Sequence, residues 1–151
     1  MIGDHREPIY VQAMQQKVDI VSDTITFIGK VMIRRGSINI YADKVIIFHF
    51  KNERYQIIIG YGDLISFRQL QDDGRLIQGY SKKIRYEVAN GLVILKDNAY
   101  LKHLGNSIRS DYIAYLIKEQ RAEAFGNKDK QVTVVLMPKK TPSNYHRKKI
   151  N

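Results

Sequence analysis

The stretch SINIYADKVIIFHF, residues 37–50, limits the possible folds more than any other part of the sequence. Its apolar residues alternate like those of a half-buried β-strand at Ile38 and Ile40. They alternate again at Val45 and Ile47, but on the opposite parity. One extra residue in a strand bends the chain and returns the following side chains to the original face. The pattern therefore predicts a strand that turns a corner and keeps one side apolar.

The same change of step recurs along the chain. TFIGKVMI (26–33) aligns without gaps with ILKDNAYL (94–101). When this alignment is extended, Asp43 falls on Asp111. Two weaker copies occur at QQKVDI (15–20) and SKKIRY (81–86). These four corners predict an antiparallel sheet folded over on itself. Its inner face would contain Ile9, Val11, Val18, Ile20, Ile25, Phe27, Ile38, Ile40, Val45, Ile47, Ile65, Phe67, Ile84, Tyr86, Val88, Ile113 and Tyr115.

Most of the remaining sequence also favours strands. Short alternating runs are separated by Gly, Asn and Asp turns, which indicates an antiparallel sandwich, jelly roll or barrel-like sheet. The segment YIAYLIKEQRAEAF (112–125) is an exception, because its composition suits a helix as well as a strand. Its position in the repeat favours a strand. An open sheet of this kind leaves two edges unpaired, and these edges invite a strand from another chain.

Length and composition restrict the chain further. The 151 residues suit one domain, placed at 1–138, followed by a basic tail at 139–151 that we expect to be disordered. The absence of cysteine excludes disulfides and thiolate chemistry, and the net charge of +10 favours an anionic partner. The first residues lack the apolar core of a signal peptide. Either the protein stays inside the cell, or it is a processed chain to which Met1 was added.

Candidate chemistry is sparse. His5, His49, His103 and His146 have no metal-ligand spacing, and no phosphate-binding loop is present. We therefore expect no catalytic residue, no metal and no cofactor, and the protein is not predicted to be an enzyme. A nucleic-acid-binding β module is an alternative, since aromatic and basic residues interleave in FHFKNERY and KKIRYEV. Most aromatics, however, share the parity of the aliphatic face, so the preferred interpretation has no nucleic-acid partner.

The repeats also support a family resemblance. GDHREPIYVQAMQQKVDI, TFIGKVMIRRGSINIYADKVII, GYGDLISFRQLQDDGRLIQGYS and VTVVLMP resemble the LptA (OstA-like) family of periplasmic lipopolysaccharide transport proteins, and the similarity runs from residue 3 to residue 138. The resemblance implies an all-β fold, an elongated twisted antiparallel β-jellyroll that is open at both ends. It also implies head-to-tail assembly with itself, a periplasmic location and a cleaved signal peptide. The expected partners are lipopolysaccharide, LptC at the inner membrane and the N-terminal domain of LptD at the outer membrane.

The family's groove positions can be carried over one at a time. They fall on His5, Ile9, Val11, Phe67, Tyr86 and Val88. All but His5 are apolar or aromatic and also belong to the inner face predicted from parity, which adds Ile38, Ile40 and Ile84 to the lipid-binding wall. Basic residues near the groove mouth would meet lipid phosphates or simply be solvated: His5, Arg6, Arg34, Arg35, Lys82 and Lys83. An LptC-like subunit or an LptD N-terminal-like domain remains an alternative within the same pathway.

Overall fold

The computed structural model describes residues 7–138. His5 and Arg6, the position of Met1 and the predicted disordered tail at 139–151 lie outside this range. The strands are β1 (Tyr10–Gln12), β2 (Gln15–Asp19), β3 (Thr24–Arg35), β4 (Ile38–Phe48), β5 (Ile57–Leu70), β6 (Leu76–Glu87), β7 (Leu92–His103), β8 (Asn106–Leu116), β9 (Arg121–Phe125) and β10 (Thr133–Val135), with a 3-10 turn at Glu53–Tyr55. Segment 112–125 forms strands, as its place in the repeat predicts.

All ten strands belong to one antiparallel sheet with the order β1-β3-β4-β5-β6-β7-β8-β10. β2 also pairs with β3, and β9 with β8, so each end of the sheet has two short strands. The sheet does not close on itself, which confirms the predicted all-β jellyroll with open ends. No helix in the described part of the chain is both long and apolar enough to cross a membrane.

A line of irregular pairing crosses the six long strands at one level, and we call it the bend line. The register shifts near residues 29–30 in β3, 42–43 in β4, 62–64 in β5, 81–82 in β6, 97–98 in β7 and 111 in β8. Each long strand is thereby divided in two. The parts that carry β1 and β10 form layer A, and the parts that carry β2 and β9 form layer B. The two layers fold onto each other and enclose the core.

Three of the four predicted corners lie on the bend line. Asp43, Lys82 and Asp111 occupy the irregular positions of β4, β6 and β8, and small buried residues precede them: Ala42, Ser81 and Ser110. The aligned segments 26–33 and 94–101 also match in backbone, because Gly29–Lys30 and Asp97–Asn98 all have positive φ. Glycine, Asp and Asn adopt this left-handed conformation at low cost.

The fourth corner was predicted at the wrong position. The chain breaks at residues 13–14, between β1 and β2, where the Met14 amide donates to the Gly29 carbonyl at 2.9 Å. Val18 consequently pairs with Ile25, which in turn pairs with Ile47, so Val18 lies at the level of Ile47 rather than Val45. The weak copy was two residues out of register, although its parity was right.

Most of the predicted inner face is buried in the core, but Ile9, Val11, Ile25 and Phe27 are only partly buried. Val18 and Ile20 are exposed, with exposed fractions of 43% and 60%. Val18 has the inward parity of Ile25, but it lies on the edge strand β2, where its side chain stays exposed. Ile20 follows the last residue of β2 and lies in a turn. The inner face is therefore continuous through the six long strands and becomes open at the β2 edge.

Candidate functional site

The interior between the layers is an apolar core. In layer B, paired residues form the row Val45, Gly60, Ile84, Leu95 and Ile113, and in layer A they form the row Ile33, Ile40, Phe67, Gly79 and Leu101. The non-glycine members of both rows have at most 4% of their surface exposed. A Cβ on Gly79 would lie 2.7 Å from Leu95 Cδ1 in the opposite layer. Glycine is therefore the residue that allows the layers to touch at this point.

A cavity of about 640 Å³ opens at the lip of the fold, the side opposite the bend line. Turns of layer A form one wall and turns of layer B form the other. Ile38, Val88 and Ile117 give it apolar surface, while Arg35 and Gln69 give it polar surface. Its volume is within the range of about 300–1,000 Å³ that is common for ligand sites. In this cavity an apolar recess of useful size meets buried polar groups.

Arg35 is a buried charged residue in the lining of this cavity. It ends β3 with the inward parity of Ile33, and only 2% of its surface is exposed. Its Nε donates to the Glu7 carbonyl at 3.1 Å, and its Nη1 donates to Tyr86 Oη at 3.2 Å. Its Nη2 forms an ion pair with Glu53 Oε2 at 3.0 Å. The guanidinium thus connects layer A, layer B and the 3-10 turn.

Two glutamines complete the polar part of the site. Gln69 accepts a hydrogen bond from the Tyr115 hydroxyl at 3.0 Å, which ties layer A to layer B. Gln71 Oε1 lies 2.9 Å from His103 Nε2. Burial raises the pKa of the Tyr115 hydroxyl above its ordinary value of 10.0, so this group stays protonated at neutral pH. The cavity lining thus contains two buried glutamines whose side chains are hydrogen-bonded to other buried or partly buried groups.

The structure brings some of the predicted groove residues together and separates others. Ile38, Tyr86 and Val88 line the lip cavity. Ile40, Phe67 and Ile84 lie deeper, in the sealed core, with 0% exposed. Ile9 and Val11 pack against the core while remaining partly exposed near the β1 edge, and His5 is outside the described residues. The predicted wall thus follows one apolar path from the lip to the centre.

The basic residues predicted near the mouth are distributed differently from the expectation. Lys82 and Lys83 lie at the bend line, far from the lip, and Arg34 lies on the outer face, where its guanidinium stacks on Tyr10 at 5.4 Å. Arg35 does line the cavity, but it is buried and ion-paired rather than solvated. Parity explains the difference, because Arg35 follows Ile33 on the inner face and Arg34 points away.

Glu53, Gln69 and Gln71 were missed as site residues. Gln69 and Gln71 continue the inward parity of Ile65 and Phe67, so extending the apolar pattern to polar residues would have found them. Glu53 lies in a 3-10 turn outside the strands, and no periodicity marks it. Within residues 7–138, no group of three or more His, Asp or Glu side chains lies close enough together to hold a metal ion.

Both edges of the sheet expose large apolar side chains. At the β1 and β2 edge these are Tyr10, Met14, Val18, Ile20 and Val21, and at the β9 and β10 edge they are Leu104, Phe125, Val132, Val134, Val135, Leu136 and Met137. An edge strand also carries backbone groups that no neighbouring strand satisfies. Exposed apolar side chains on an unpaired edge are typical of a surface that adds a strand from another chain.

Sequence comparison relates the chain to proteins of one pathway. The family model described as LptA/(LptD N-terminal domain) LPS transport protein matches residues 10–121. The chain is 40% identical over 137 residues to the lipopolysaccharide export system protein LptA of Escherichia coli (strain K12), with 90% of this chain and 74% of that protein covered. It is 34% identical over 137 residues to LptA of Haemophilus influenzae, where the coverage is 89% and 80%.

Structural comparison supports the same fold. The crystal structure of LptH from Pseudomonas aeruginosa, described as the LptA homologous periplasmic component of the lipopolysaccharide transport device, superposes with a TM-score of 0.83. The match covers 90% of this chain and 99% of LptH, at 23% sequence identity. The sequence matches carry the family assignment, and the superposition carries the fold. On these grounds the chain belongs to the LptA/LptD N-terminal domain family of lipopolysaccharide transport proteins.

Proposed function

We propose that this protein binds lipopolysaccharide between layers A and B and carries it across the periplasm from the inner to the outer membrane. One observation supports this most: the apolar interior is continuous from the bend line to the lip, where it opens into a cavity of about 640 Å³ with a polar rim. An amphiphile fits this arrangement, because its acyl chains need an apolar interior and its headgroup needs water and hydrogen bonds.

The energetic need for such a groove is large. Each methylene group moved out of an apolar environment costs about 0.8 kcal/mol, so a chain of a dozen carbons resists entering water by roughly 10 kcal/mol. A protein that offers an apolar wall removes most of this barrier and needs no catalytic group. Family membership supports transport rather than catalysis as the role of the fold.

Acyl chains would enter by separating the layers at the lip. Two hydrogen bonds join the layers near the lip, one between Arg35 and Tyr86 and one between Tyr115 and Gln69. At the bend line, in contrast, the layers are joined by the covalent chain of six strands. Opening would therefore widen the lip cavity towards Phe67, while the bend line keeps the layers together.

The proposed partners follow from the edges. A second copy of the chain would add its β1 edge to the β10 edge, so that the inner faces of stacked copies form one longer groove. The N-terminal domain of LptD and LptC would use the same two edges at the ends of the bridge. The names of the relatives, export system proteins and a periplasmic transport component, support this location and pathway.

Site-specific photo-crosslinking in cells that make lipopolysaccharide tests the proposal. A photoreactive residue is placed at Val88, which lines the cavity, or at Phe67, which is sealed in the core. We expect an adduct with lipopolysaccharide at Val88, and at Phe67 if the layers separate during transport. The matched control is Tyr41, which is half exposed on the outer face of β4 and should give no adduct.

The outcome at Val88 decides between the alternatives. An adduct at Tyr41 equal to that at Val88 would mean that lipid only adheres to the surface. No adduct at Val88 in a folded protein would rule out transport through the lip cavity.

A further inference from the structure

Arg35 and Glu53 form an ion pair in which the two partners are shielded very differently. The Arg35 side chain is 3% exposed, whereas the Glu53 side chain is 65% exposed. Glu53 belongs to the short 3-10 turn between β4 and β5 and reaches Arg35 through one carboxylate oxygen, Oε2. The cation is thus fixed in the fold, while the Glu53 carboxylate reaches it from the solvent side.

A purely structural reason for this pair is weak. Burying a guanidinium has a large desolvation cost, and apolar residues of similar volume usually stabilise a core at least as well. At the end of an apolar row next to Ile33 and Ile38, an apolar side chain would satisfy the packing. The three hydrogen bonds of Arg35 join parts of the fold, but stability alone does not require a charge at this position.

The position of Arg35 is suited to an amphiphile. Its guanidinium lies at the boundary between the sealed core and the lip cavity, and Ile38, its paired neighbour on β4, lines the same cavity. An anionic group at this boundary would have apolar surface on one side for its chain and the open cavity on the other. Guanidinium groups also match phosphate oxygens in geometry, with two parallel N–H donors.

We infer that Arg35 binds a phosphate group of the lipid headgroup, and that Glu53 occupies this position when the cavity is empty. The inference rests on the proposed function. Displacing Glu53 costs little, because its exposed carboxylate regains water when it leaves Arg35. The 3-10 turn that carries Glu53 then moves away from the lip and widens the entrance. Arg35 thereby selects phosphorylated lipids, and Glu53 competes with them.

The test is equilibrium binding of the full chain to lipid A and to lipid A from which the phosphates have been removed, both in mixed micelles. For the unmodified protein, the phosphorylated lipid should bind roughly tenfold more tightly. Arg35→Gln should abolish this preference. Glu53→Gln should tighten binding of the phosphorylated lipid by about twofold to fivefold and leave the dephosphorylated lipid unchanged.

Because Arg35→Gln should weaken and Glu53→Gln should tighten binding of the phosphorylated lipid, the two variants together separate ligand recognition from a structural role. If the ion pair only stabilises the fold, Arg35→Gln and Glu53→Gln would weaken binding of both lipids together. Lys118→Gln is the matched control, since it removes a charge from an exposed residue in the same lining. An equal loss in Lys118→Gln and Arg35→Gln would reduce the effect to net charge and overturn the assignment to Arg35.

A competition experiment and the binding of the unmodified protein show which part of the proposal is wrong if a prediction fails. Inorganic phosphate at millimolar concentration should not compete with phosphorylated lipid A, and full competition would assign the site to free phosphate. If both lipids bind equally to the unmodified protein, the role of Arg35 is wrong while lipid binding stands. If neither lipid binds, the proposed function itself fails. Because Glu53 is largely exposed, Glu53→Gln remains a usable test even where Arg35→Gln does not fold.

Discussion

The interior between the layers and the two edges of the sheet contain the same kinds of residue but differ completely in exposure. Ile84 and Leu95 are 0% exposed, whereas Val134 is 52% exposed and Leu136 is 75% exposed. The buried apolar residues lie in or directly beside strands β3 to β8, while the edge strands β1 and β9 contribute partly buried residues such as Val11 and Ala122. The exposed apolar side chains at the edges remain available to another chain. We expect mutations in the two regions to separate stability from assembly.

The largest effect on stability is expected in the interior. Phe67 is fully buried and packs edge to face on Tyr115, with ring centroids 6.1 Å apart. Phe67→Ala should leave a cavity that neither layer can fill and should lower the free energy of unfolding by about 3–5 kcal/mol. Urea unfolding followed by circular dichroism measures this loss.

Tyr41→Ala is the control for this change. Tyr41 lies on the outer face, at the next ladder position from the pair of Ile40 and Phe67, and is half exposed. Its loss should change stability by less than about 1 kcal/mol. If the two variants were equally destabilised, the stability of the protomer would not be concentrated between the layers.

How the sequence encodes the bend line explains which parts could be predicted. In β4, β6 and β8 the inner residues skip from 42 to 45, from 81 to 84 and from 110 to 113, so parity changes and the corner can be seen. In β3 and β7 they skip from 27 to 31 and from 95 to 99, which leaves parity unchanged. Those two bends were not predicted, because an insertion of two residues cannot be distinguished from a continuous strand by alternation. The bend of β5 was not predicted either, although its inner residues skip from 60 to 65 and parity changes.

The candidate site was predictable to a similar degree. Apolar alternation identified Ile38, Tyr86 and Val88 in the cavity lining, but it cannot tell a lining residue from a sealed one such as Phe67. That distinction depends on where the two layers touch, which is a property of tertiary packing. The ion pair of Arg35 could not be predicted either, since Glu53 follows in a loop and no pattern relates it to β3.

A smaller loss is expected where the interior meets its polar rim. Tyr115→Phe removes the hydroxyl that donates to Gln69 and leaves the glutamine acceptor without this bond. We expect destabilisation of about 1–3 kcal/mol, less than for Phe67→Ala, because the ring and its packing are kept. Tyr41→Phe, at an outer-face position, should be nearly neutral. A neutral Tyr115→Phe would show that the layers are held together by apolar packing alone.

Mutations at the edges should change self-association rather than the stability of the protomer. Val134 on β10 pairs with Ile108 of β8 and shares its inward parity, while Thr133 pairs with Arg109 on the outer face. Val134→Asp should abolish concentration-dependent self-association and change the stability of the protomer by less than about 0.5 kcal/mol. Light scattering across a range of protein concentrations measures the association.

Thr133→Asp tests whether the inner face matters for this association. It places the same charge on the same strand, but on the side that faces Arg109. If stacked copies share one inner face, Thr133→Asp should weaken association less than Val134→Asp. Equal loss would mean that only the charge of the edge strand counts, and persistent association of Val134→Asp would contradict end-to-end assembly through β10.

The smallest effect on stability is expected from Glu87, which lies on the outer face near the lip. Unlike the effect of an interior mutation, it should depend on pH. Asn90 donates to Glu87 Oε1 at 2.9 Å and Arg85 Nε donates to Oε2 at 3.0 Å. The hydrogen bond from Asn90, followed by that from Arg85, holds the pKa of Glu87 below its ordinary value of 4.5. A lowered pKa in the folded state stabilises the protein above pH 4.5, and this contribution is lost as the pH falls through the folded-state value.

Glu87→Gln should therefore be less stable than the unmodified protein at pH 7, and the difference should shrink towards pH 3. Phe67→Ala removes no titrating group, so its deficit should be the same at both pH values. A constant deficit for Glu87→Gln would show that its carboxylate is not held in its charged form by Asn90 and Arg85.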